Sequence, residues 1–246
     1  MTYCLAIRIN EGIVLASDSR TNAGVDYVRT SSKMFQFNWE GDRIITLLTS
    51  GNLATSQVVV NAIQRDLNEN HNSFSLKTAK NLFDIASYIG DLSQQEQSKH
   101  EAAVEKSGGT SAASFLLGGE IKGKPHEIYM IYPEGNYITS SDESPFLQIG
   151  ETKYGKPILD RIISMDTSLN DAARCALVSL DSTMRSNISV GPPLDLAIYT
   201  AGSLEAPHHV TLDLASPFFR RLQRRWNEGL QRAFDRLPRF DWEVKR

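Results

Sequence analysis

The chain has 246 residues, of which 41% are hydrophobic and 22% charged, and its formal net charge is −3. This composition is ordinary for a globular protein with a sizeable core, and the charge gives no reason to expect a nucleic-acid partner. No stretch approaches the roughly 18 apolar residues of a membrane helix. Arg8, Asn10 and Glu11 interrupt what would be the core of a secretion signal. We therefore expect a cytoplasmic protein that does not enter a membrane.

The two cysteines, Cys4 and Cys175, could form a disulfide, but two separate thiols in a reducing compartment are the favoured interpretation. The sequence has no CxxC motif and no Cys/His spacing suitable for zinc. The five histidines also lack the spacing of a metal site or of a catalytic triad. We therefore expect neither a metal nor an organic cofactor.

The first predicted element is a strand, because residues 2–10 alternate with a period of two. Glu11-Gly12 predicts a turn and residues 13–16 predict a second strand, so together they indicate a hairpin. The small and polar residues 17–24 that follow predict a loop.

The later elements come as pairs of helices between groups of strands. They are, in order, strands over 34–39 and 44–48, a helix opening at 50–52, a helix beginning near Ser75, a strand over 112–117, a hairpin of 128–132 with 137–139, helices over 152–164 and 168–186, strands over 194–200 and 210–214, and a helix from Ser216. The polar segment 93–106 is predicted to be mobile or exposed. Two stacked sheets covered by two helix layers satisfy this order. We predict an α+β fold, a four-layer αββα sandwich of two antiparallel sheets, in a single domain over 1–246.

The C-terminal extension 216–246 is rich in arginine and places Phe219, Leu222 and Trp226 at helical spacing. It has two interpretations that the sequence does not separate. One is a solvated face of an amphipathic helix, and the other is a contact or docking surface between subunits. A nucleic-acid role is not expected, because the arginines lack the fold context of such a module.

The chemistry suggested by the sequence begins at Thr2. If Met1 is removed, Thr2 carries both a hydroxyl nucleophile and an α-amine that can accept its proton. The amine has a reference pKa of about 8, and a neighbouring cation would lower this value. Such a site therefore needs a lysine, with an acid to hold it. Asp18 at the end of the second strand and Lys33 before the third are the candidates.

Backbone N–H groups at Ser50-Gly51 could stabilise an oxyanion, since they lie where a helix begins. Taken singly, each feature has an ordinary explanation. Asp18 could close a turn, Lys33 could be solvated, and Ser50 could cap the helix. Only the combination indicates a catalytic site.

This combination resembles the N-terminal threonine hydrolases of the proteasome β-subunit and HslV family. The matching pieces are Thr2 behind a removable Met1, the A-x-D-x-R pattern at 16–20, Lys33 before a strand, Ser50-Gly51-Asn52-Leu53-Ala54 at the first helix, and residues 114–119 at the central strand. The segments 108–111, 148–157 and 184–193 are similar to the bacterial group called Anbu, the ancestral β-subunit.

The resemblance implies a role for each matched residue. Thr2 would be the nucleophile, Lys33 the electrostatic partner of the amine, Asp18 the anchor of the lysine and Gly51 the oxyanion donor. Asn22 and Leu53 fall where the family contacts an extended peptide. Asp181 and Ser186 are implied as a supporting acid and hydroxyl. The family also implies a threonine-type peptidase acting on peptide or protein substrates in a homo-oligomeric ring or spiral, and the sequence leaves an ATPase partner open.

Two departures from the family pattern affect the expected activity. Glu151 stands where the family has a serine that supports the amine, and an additional carboxylate would leave less of the amine neutral. The Asp-x-x-Ser spacing of proteasome subunits is also absent around Asp181. A weak or silent assembly that acts as a scaffold or peptide-binding chamber is therefore the alternative, and an amidase for small molecules is a third possibility.

Overall fold

The computed structural model describes residues 1–22, 28–68 and 74–243, and their strands form two five-stranded sheets and one two-stranded ribbon. The strands are β1 (Tyr3–Ile9), β2 (Gly12–Asp18), β3 (Arg20–Asn22), β4 (Val28–Thr30), β5 (Met34–Trp39), β6 (Arg43–Gly51), β7 (Ala113–Ile121), β8 (Glu127–Ile131), β9 (Tyr137–Thr139), β10 (Phe146–Gly150), β11 (Leu194–Thr200) and β12 (His208–Leu212). The first sheet has the order β10-β1-β2-β11-β12, the second has the order β5-β6-β7-β8-β9, and β3 pairs with β4. Every pairing is antiparallel.

Helices cover the outer face of each large sheet. They are α1 (Leu53–Asn68), α2 (Leu82–Lys106), α3 (Thr152–Ile162), α4 (Leu169–Ser186) and α5 (Pro217–Asp235). One apolar cluster joins the first sheet to α3, α4 and α5, and a second joins the other sheet to α1 and α2. A third cluster lies between the two sheets. The predicted αββα sandwich of antiparallel sheets is therefore confirmed.

The strand β1 lies between β10 and β2 in the first sheet and is buried on both faces. Tyr3, Leu5 and Ile7 pack against the helices, whereas Cys4 and Ala6 face the other sheet. The predicted alternation is present, but it separates two buried surfaces rather than a buried and a solvated one. Since β10 and β2 pair with its two edges, β1 is also enclosed within its sheet.

Two local predictions were wrong. Part of the predicted loop 17–24 is extended, because β2 continues to Asp18 and Arg20–Asn22 pairs with β4 as β3. Residues 23 and 24 lie outside the described residues. The second helix begins at Leu82 rather than near Ser75, where Ser75 and Thr78 form a hydrogen-bonded turn.

The helix α2 also continues through 93–106, a segment that was predicted to be mobile or exposed. This part of α2 is mostly exposed, as predicted, so its sequence has no apolar stripe that would indicate a helix. An ion pair between Lys99 and Glu96, which are three residues apart on the helix, stabilises this part of α2.

The two cysteines are buried and unpaired, as the sequence predicted. No helix in the described part of the chain is long and apolar enough to cross a membrane. The helix α5 buries only Phe219, and the residues after it expose Leu237, Phe240 and Trp242.

Candidate active site

A cavity of about 590 Å³ opens at the start of β1. Its lining includes Thr2, Lys33, Gly51, Leu53 and Glu151, which come from distant parts of the sequence. The two sheets bring these residues together, because β1 and β6 belong to different sheets of the same sandwich. Four of the predicted site residues therefore share one cavity, and Glu151 lies beside them.

The most buried part of the site is an ion pair between Lys33 and Asp18. Lys33 Nζ donates to Asp18 Oδ1 at 2.6 Å and to the carbonyl oxygen of Arg20 at 2.7 Å. The side chain of Asp18 is fully buried, and that of Lys33 is only 7% exposed. Charges so far from water are stable only where hydrogen bonds compensate their lost hydration.

Asp18 receives this compensation from two backbone donors. Its Oδ1 accepts from the Tyr3 N–H at 3.0 Å, and its Oδ2 accepts from the Gly191 N–H at 3.1 Å. Burial raises the pKa of the Asp18 carboxyl, whereas the Lys33 ammonium and these two N–H groups act in the opposite direction. Since Tyr3 directly follows Thr2, one carboxylate both holds the lysine and fixes the backbone beside the candidate nucleophile.

The backbone of Thr2 is held from the other side by the end of β10. The Glu151 N–H donates to the Thr2 carbonyl oxygen at 2.8 Å. Gly150, which precedes it, has φ +84°, and a Cβ at this position would overlap the same carbonyl oxygen. Only glycine fits this close approach, so Gly150 determines where Thr2 lies.

We expect Gly150→Ala to lower the free energy of unfolding more than Gly123→Ala does. Gly123 is a matched control, because it has φ +77° but no described atom within 4 Å of an added Cβ. The left-handed conformation alone should cost about 1–2 kcal/mol at either position. The overlap with Thr2 should add about 1–3 kcal/mol at Gly150 only. Urea unfolding followed by circular dichroism measures both variants, and equal losses would contradict the prediction.

Gly51 lies where β6 turns into α1 at the cavity wall. It has φ +96°, and a Cβ there would overlap the carbonyl oxygen of Ala112. The next residue, Asn52, accepts from the Thr55 N–H at 3.1 Å and donates to the Thr110 carbonyl oxygen at 2.8 Å. A strand thus ends in a capped helix beside Thr2, and such an N-terminus presents backbone N–H groups.

The structure does not bring Asp181 and Ser186 into this cavity. Both line a separate depression that also includes Arg20. The carboxylate of Asp181 accepts from Gln223 Nε2 at 2.6 Å and from Arg185 Nε at 3.1 Å. The bond from Gln223 therefore joins α4 to α5, and the bond from Arg185 lies within the last turn of α4.

Of the two residues implied for substrate contact, one lines the cavity and the other directly follows Thr21, which also lines it. Leu53 lines the cavity at the start of α1 and is partly exposed. Asn22 ends β3, and its side chain lies outside the described residues. Glu151 has little exposure, and its carboxylate is 3.8 Å from Lys153 Nζ.

The groups that hold Asp18 and Lys33 in place were not predicted from the sequence. They are the N–H groups of Tyr3 and Gly191 and the carbonyl group of Arg20. Every residue has a backbone carbonyl, and every residue except proline has a backbone N–H. The residue type does not reveal which backbone groups will bind a side chain. Only the predicted pairing of β1 with β2 could have indicated that the Tyr3 N–H lies near Asp18. Among the described residues, no group of His, Cys, Asp or Glu has the arrangement of a metal site.

The layered fold, with Thr2 beside a buried lysine–aspartate pair, defines the class of N-terminal nucleophile hydrolase folds. A sequence model of the family described as "Proteasome subunit" matches residues 2–199. The chain is 24% identical over 209 residues to the proteasome subunit beta of Haloferax volcanii, which covers 85% of this chain and 77% of the relative. The chain belongs to the proteasome subunit family.

Solved structures give relatives of higher sequence identity, and two of them are Anbu proteins. The Anbu from Yersinia bercovieri is 38% identical with a TM-score of 0.91 over 97% of this chain and 98% of its own. The helical assembly of the Anbu complex from Pseudomonas aeruginosa is 42% identical, with the same TM-score and coverage. The resemblance to Anbu that the sequence motifs indicated is therefore confirmed.

Proposed function

We propose that the chain is a threonine-type peptidase or amide hydrolase that uses Thr2 as its nucleophile after removal of Met1. The observation that carries this proposal is the buried Lys33–Asp18 pair, whose carboxylate also binds the backbone directly after Thr2. A buried ion pair is costly to maintain, and such a pair beside a cavity is a frequent mark of a functional site.

In the proposed reaction, Thr2 Oγ attacks the carbonyl carbon of the scissile amide while the α-amine takes the hydroxyl proton. The Gly51 N–H stabilises the negative charge that develops on the carbonyl oxygen. The C–N bond then breaks, the leaving amine takes the proton from the Thr2 ammonium, and an ester on Thr2 forms. Water, deprotonated by the same amine, hydrolyses the ester and restores the hydroxyl.

Lys33 is proposed to keep the Thr2 amine neutral. A positive charge nearby disfavours a second one, so the amine pKa falls below its reference value of about 8. Asp18 fixes the position of the lysine charge. Asp181 and Ser186 lie outside the Thr2 cavity, and the proposed mechanism assigns them no direct part.

The substrate is proposed to be an extended peptide at the cavity mouth. The strand β3 supplies Asn22 and the start of α1 supplies Leu53, so the peptide would run between a strand and an apolar contact. We further propose that the chain works in the cytoplasm as a homo-oligomer, a ring or spiral that encloses the cavities. The helical assembly of the Pseudomonas aeruginosa relative supports this, as do exposed Phe234 and Leu237 near the C-terminus.

The test is the intact mass of the purified protein followed by labelling with a peptide epoxyketone, which requires both the hydroxyl and the free amine of an N-terminal threonine. We expect a mass without Met1 and one adduct per chain on Thr2. A sample whose amine has been methylated is the control and should stay unlabelled. If the protein carries a free Thr2 and still gives neither adduct nor hydrolysis, the proposal fails.

One observation favours the alternative of a catalytically weak chamber that binds peptides without cleaving them. Glu151 places a carboxylate in the lining of the Thr2 cavity, and a negative charge there favours the protonated amine. Peptide binding by an unlabelled protein with free Thr2 would support this second function.

We expect Glu151→Gln to move the acidic limb of the pH–rate profile to lower pH by about half a unit or more. Removal of the carboxylate lowers the pKa of the amine, so more of it is neutral at a given pH. Lys153→Gln is the matched control, because it removes the cation paired with Glu151 and should move the limb to higher pH. An unmoved limb in Glu151→Gln would mean that this carboxylate does not act on the amine.

A further inference from the structure

A second buried carboxylate, Asp195 on β11, lies close to the site and has no part in the mechanism above. Its Oδ2 accepts from Ser19 Oγ at 3.0 Å and from Ser32 Oγ at 3.2 Å. Its Oδ1 accepts from Thr211 Oγ1 at 2.8 Å and lies 3.3 Å from His209 Nε2. Four side chains from three separate segments thus converge on one carboxylate.

The two hydroxyls on Oδ2 belong to the neighbours of the catalytic ion pair in the sequence. Ser19 directly follows Asp18, and Ser32 directly precedes Lys33. Asp195 Oδ2 therefore bridges the segment that carries Asp18 and the segment that carries Lys33. It binds each segment one residue away from the charged side chain. Movement of these segments away from each other would lengthen at least one of its hydrogen bonds.

The charge of Asp195 acts on the same position of β1 as the two charges of the ion pair. Burial raises the pKa of the Cys4 thiol far above its usual range. Lys33 opposes this rise, whereas Asp18 and Asp195 add to it, so all three charges are felt at one position on β1. Hence Asp195 contributes negative potential on the side of the sheet where Lys33 lies.

We propose that Asp195 is a positioning residue that sets the geometry of the Asp18–Lys33 pair through the hydroxyls of Ser19 and Ser32. It is not among the residues that line the Thr2 cavity. The titratable groups around it are His209 on β12, the Cys4 thiol on β1 and, beyond the two hydroxyls, the Asp18–Lys33 pair itself. Its catalytic consequence rests on the proposed function, whereas its coupling to the pair does not.

The first measurement is the steady-state kinetics of Asp195→Asn. This variant keeps the shape of the side chain but replaces one acceptor oxygen by a donor and removes the charge. We expect kcat to fall about tenfold, the effect of losing one charge-assisted hydrogen bond, with KM unchanged. The acidic limb of the pH–rate profile should move to lower pH, because less negative potential acts on the Thr2 amine. A wild-type kcat with an unmoved limb would overturn the proposal.

Thr211→Val is the matched control for a merely structural role. It removes a hydrogen bond to the same carboxylate but on Oδ1, and it leaves the bonds of Ser19 and Ser32 to Oδ2 in place. We expect it to reduce stability while kcat and the pH limb stay unchanged. If Thr211→Val reproduces the kinetic defect of Asp195→Asn, the carboxylate is a general structural support and the proposal is wrong.

A double-mutant cycle between Asp195→Asn and Lys33→Met tests the coupling without any activity measurement. If Asp195 positions the pair, the shifts in the urea midpoint should be non-additive, because the two sites share one hydrogen-bond network. Additive shifts would overturn the inference. Non-additive shifts in a protein that neither labels nor hydrolyses would uphold the coupling and reject the proposed function instead.

Discussion

Thr2→Ala should reduce amide hydrolysis by at least about 10³-fold, the largest effect expected of any substitution in this chain. The variant lacks the hydroxyl that forms the acyl ester, whereas its small second residue leaves the removal of Met1 undisturbed. Hydrolysis of a fluorogenic peptide and the intact mass of each preparation measure the two properties separately.

Thr2→Ser is the control for this prediction. It keeps a hydroxyl and an α-amine on the same residue, and it should therefore retain measurable turnover and form a covalent adduct. Full activity in Thr2→Ala, with Met1 removed, would exclude Thr2 as the nucleophile. Equal inactivity of both variants would point to displaced β1 geometry rather than to missing chemistry.

Lys33→Met should lower the rate by about 10²–10⁴-fold and also destabilise the fold by about 3–5 kcal/mol. Without the ammonium, the Thr2 amine keeps its proton at neutral pH and cannot accept another. Asp18 would be left as a buried carboxylate without a counter-ion, which is the source of the lost stability. Peptide turnover and urea unfolding report the two effects.

The double variant Asp18→Asn with Lys33→Met separates catalysis from stability. It removes both charges, so no buried ion is left unpaired, and much of the lost stability should return. The activity should not return, because the amine still has no cation beside it. Recovery of turnover together with stability would show that Lys33 acts only through the fold.

The layers of the fold were predictable because the apolar residues recur at spacings that distinguish strands from helices. Alternation over residues 2–10 and the helical spacing after Asn52 both match the observed elements, and their order leaves few ways to stack them. The end of α2 was not predictable, because periodicity reports burial and the exposed turns after Ser93 bury nothing. Local patterns also do not predict sheet order, since β1 pairs with β10, whose partner residues are 139 (Ile7 to Phe146) to 147 (Tyr3 to Gly150) positions further along the chain.

The site was predictable only as residue types. Thr2, Lys33 and Gly51 do share one cavity, and Asp18 does hold the lysine. The backbone donors on Asp18 carry no signal in the sequence, because an N–H group is the same in almost every residue. Asp181 is a residue that the family resemblance marked, but its carboxylate accepts a hydrogen bond from Gln223 on α5. No sequence motif describes how α5 packs.

The enclosure of β1 has a consequence for heat inactivation. A strand that is packed on both faces and paired on both edges cannot open by itself, since its release would break both sheets' shared core. Thr2 is joined directly to this strand and cannot drift from Asp18 while the core is intact. Activity lost on warming would thus be lost with the whole sandwich, in one cooperative step, and not through gradual loosening of the site.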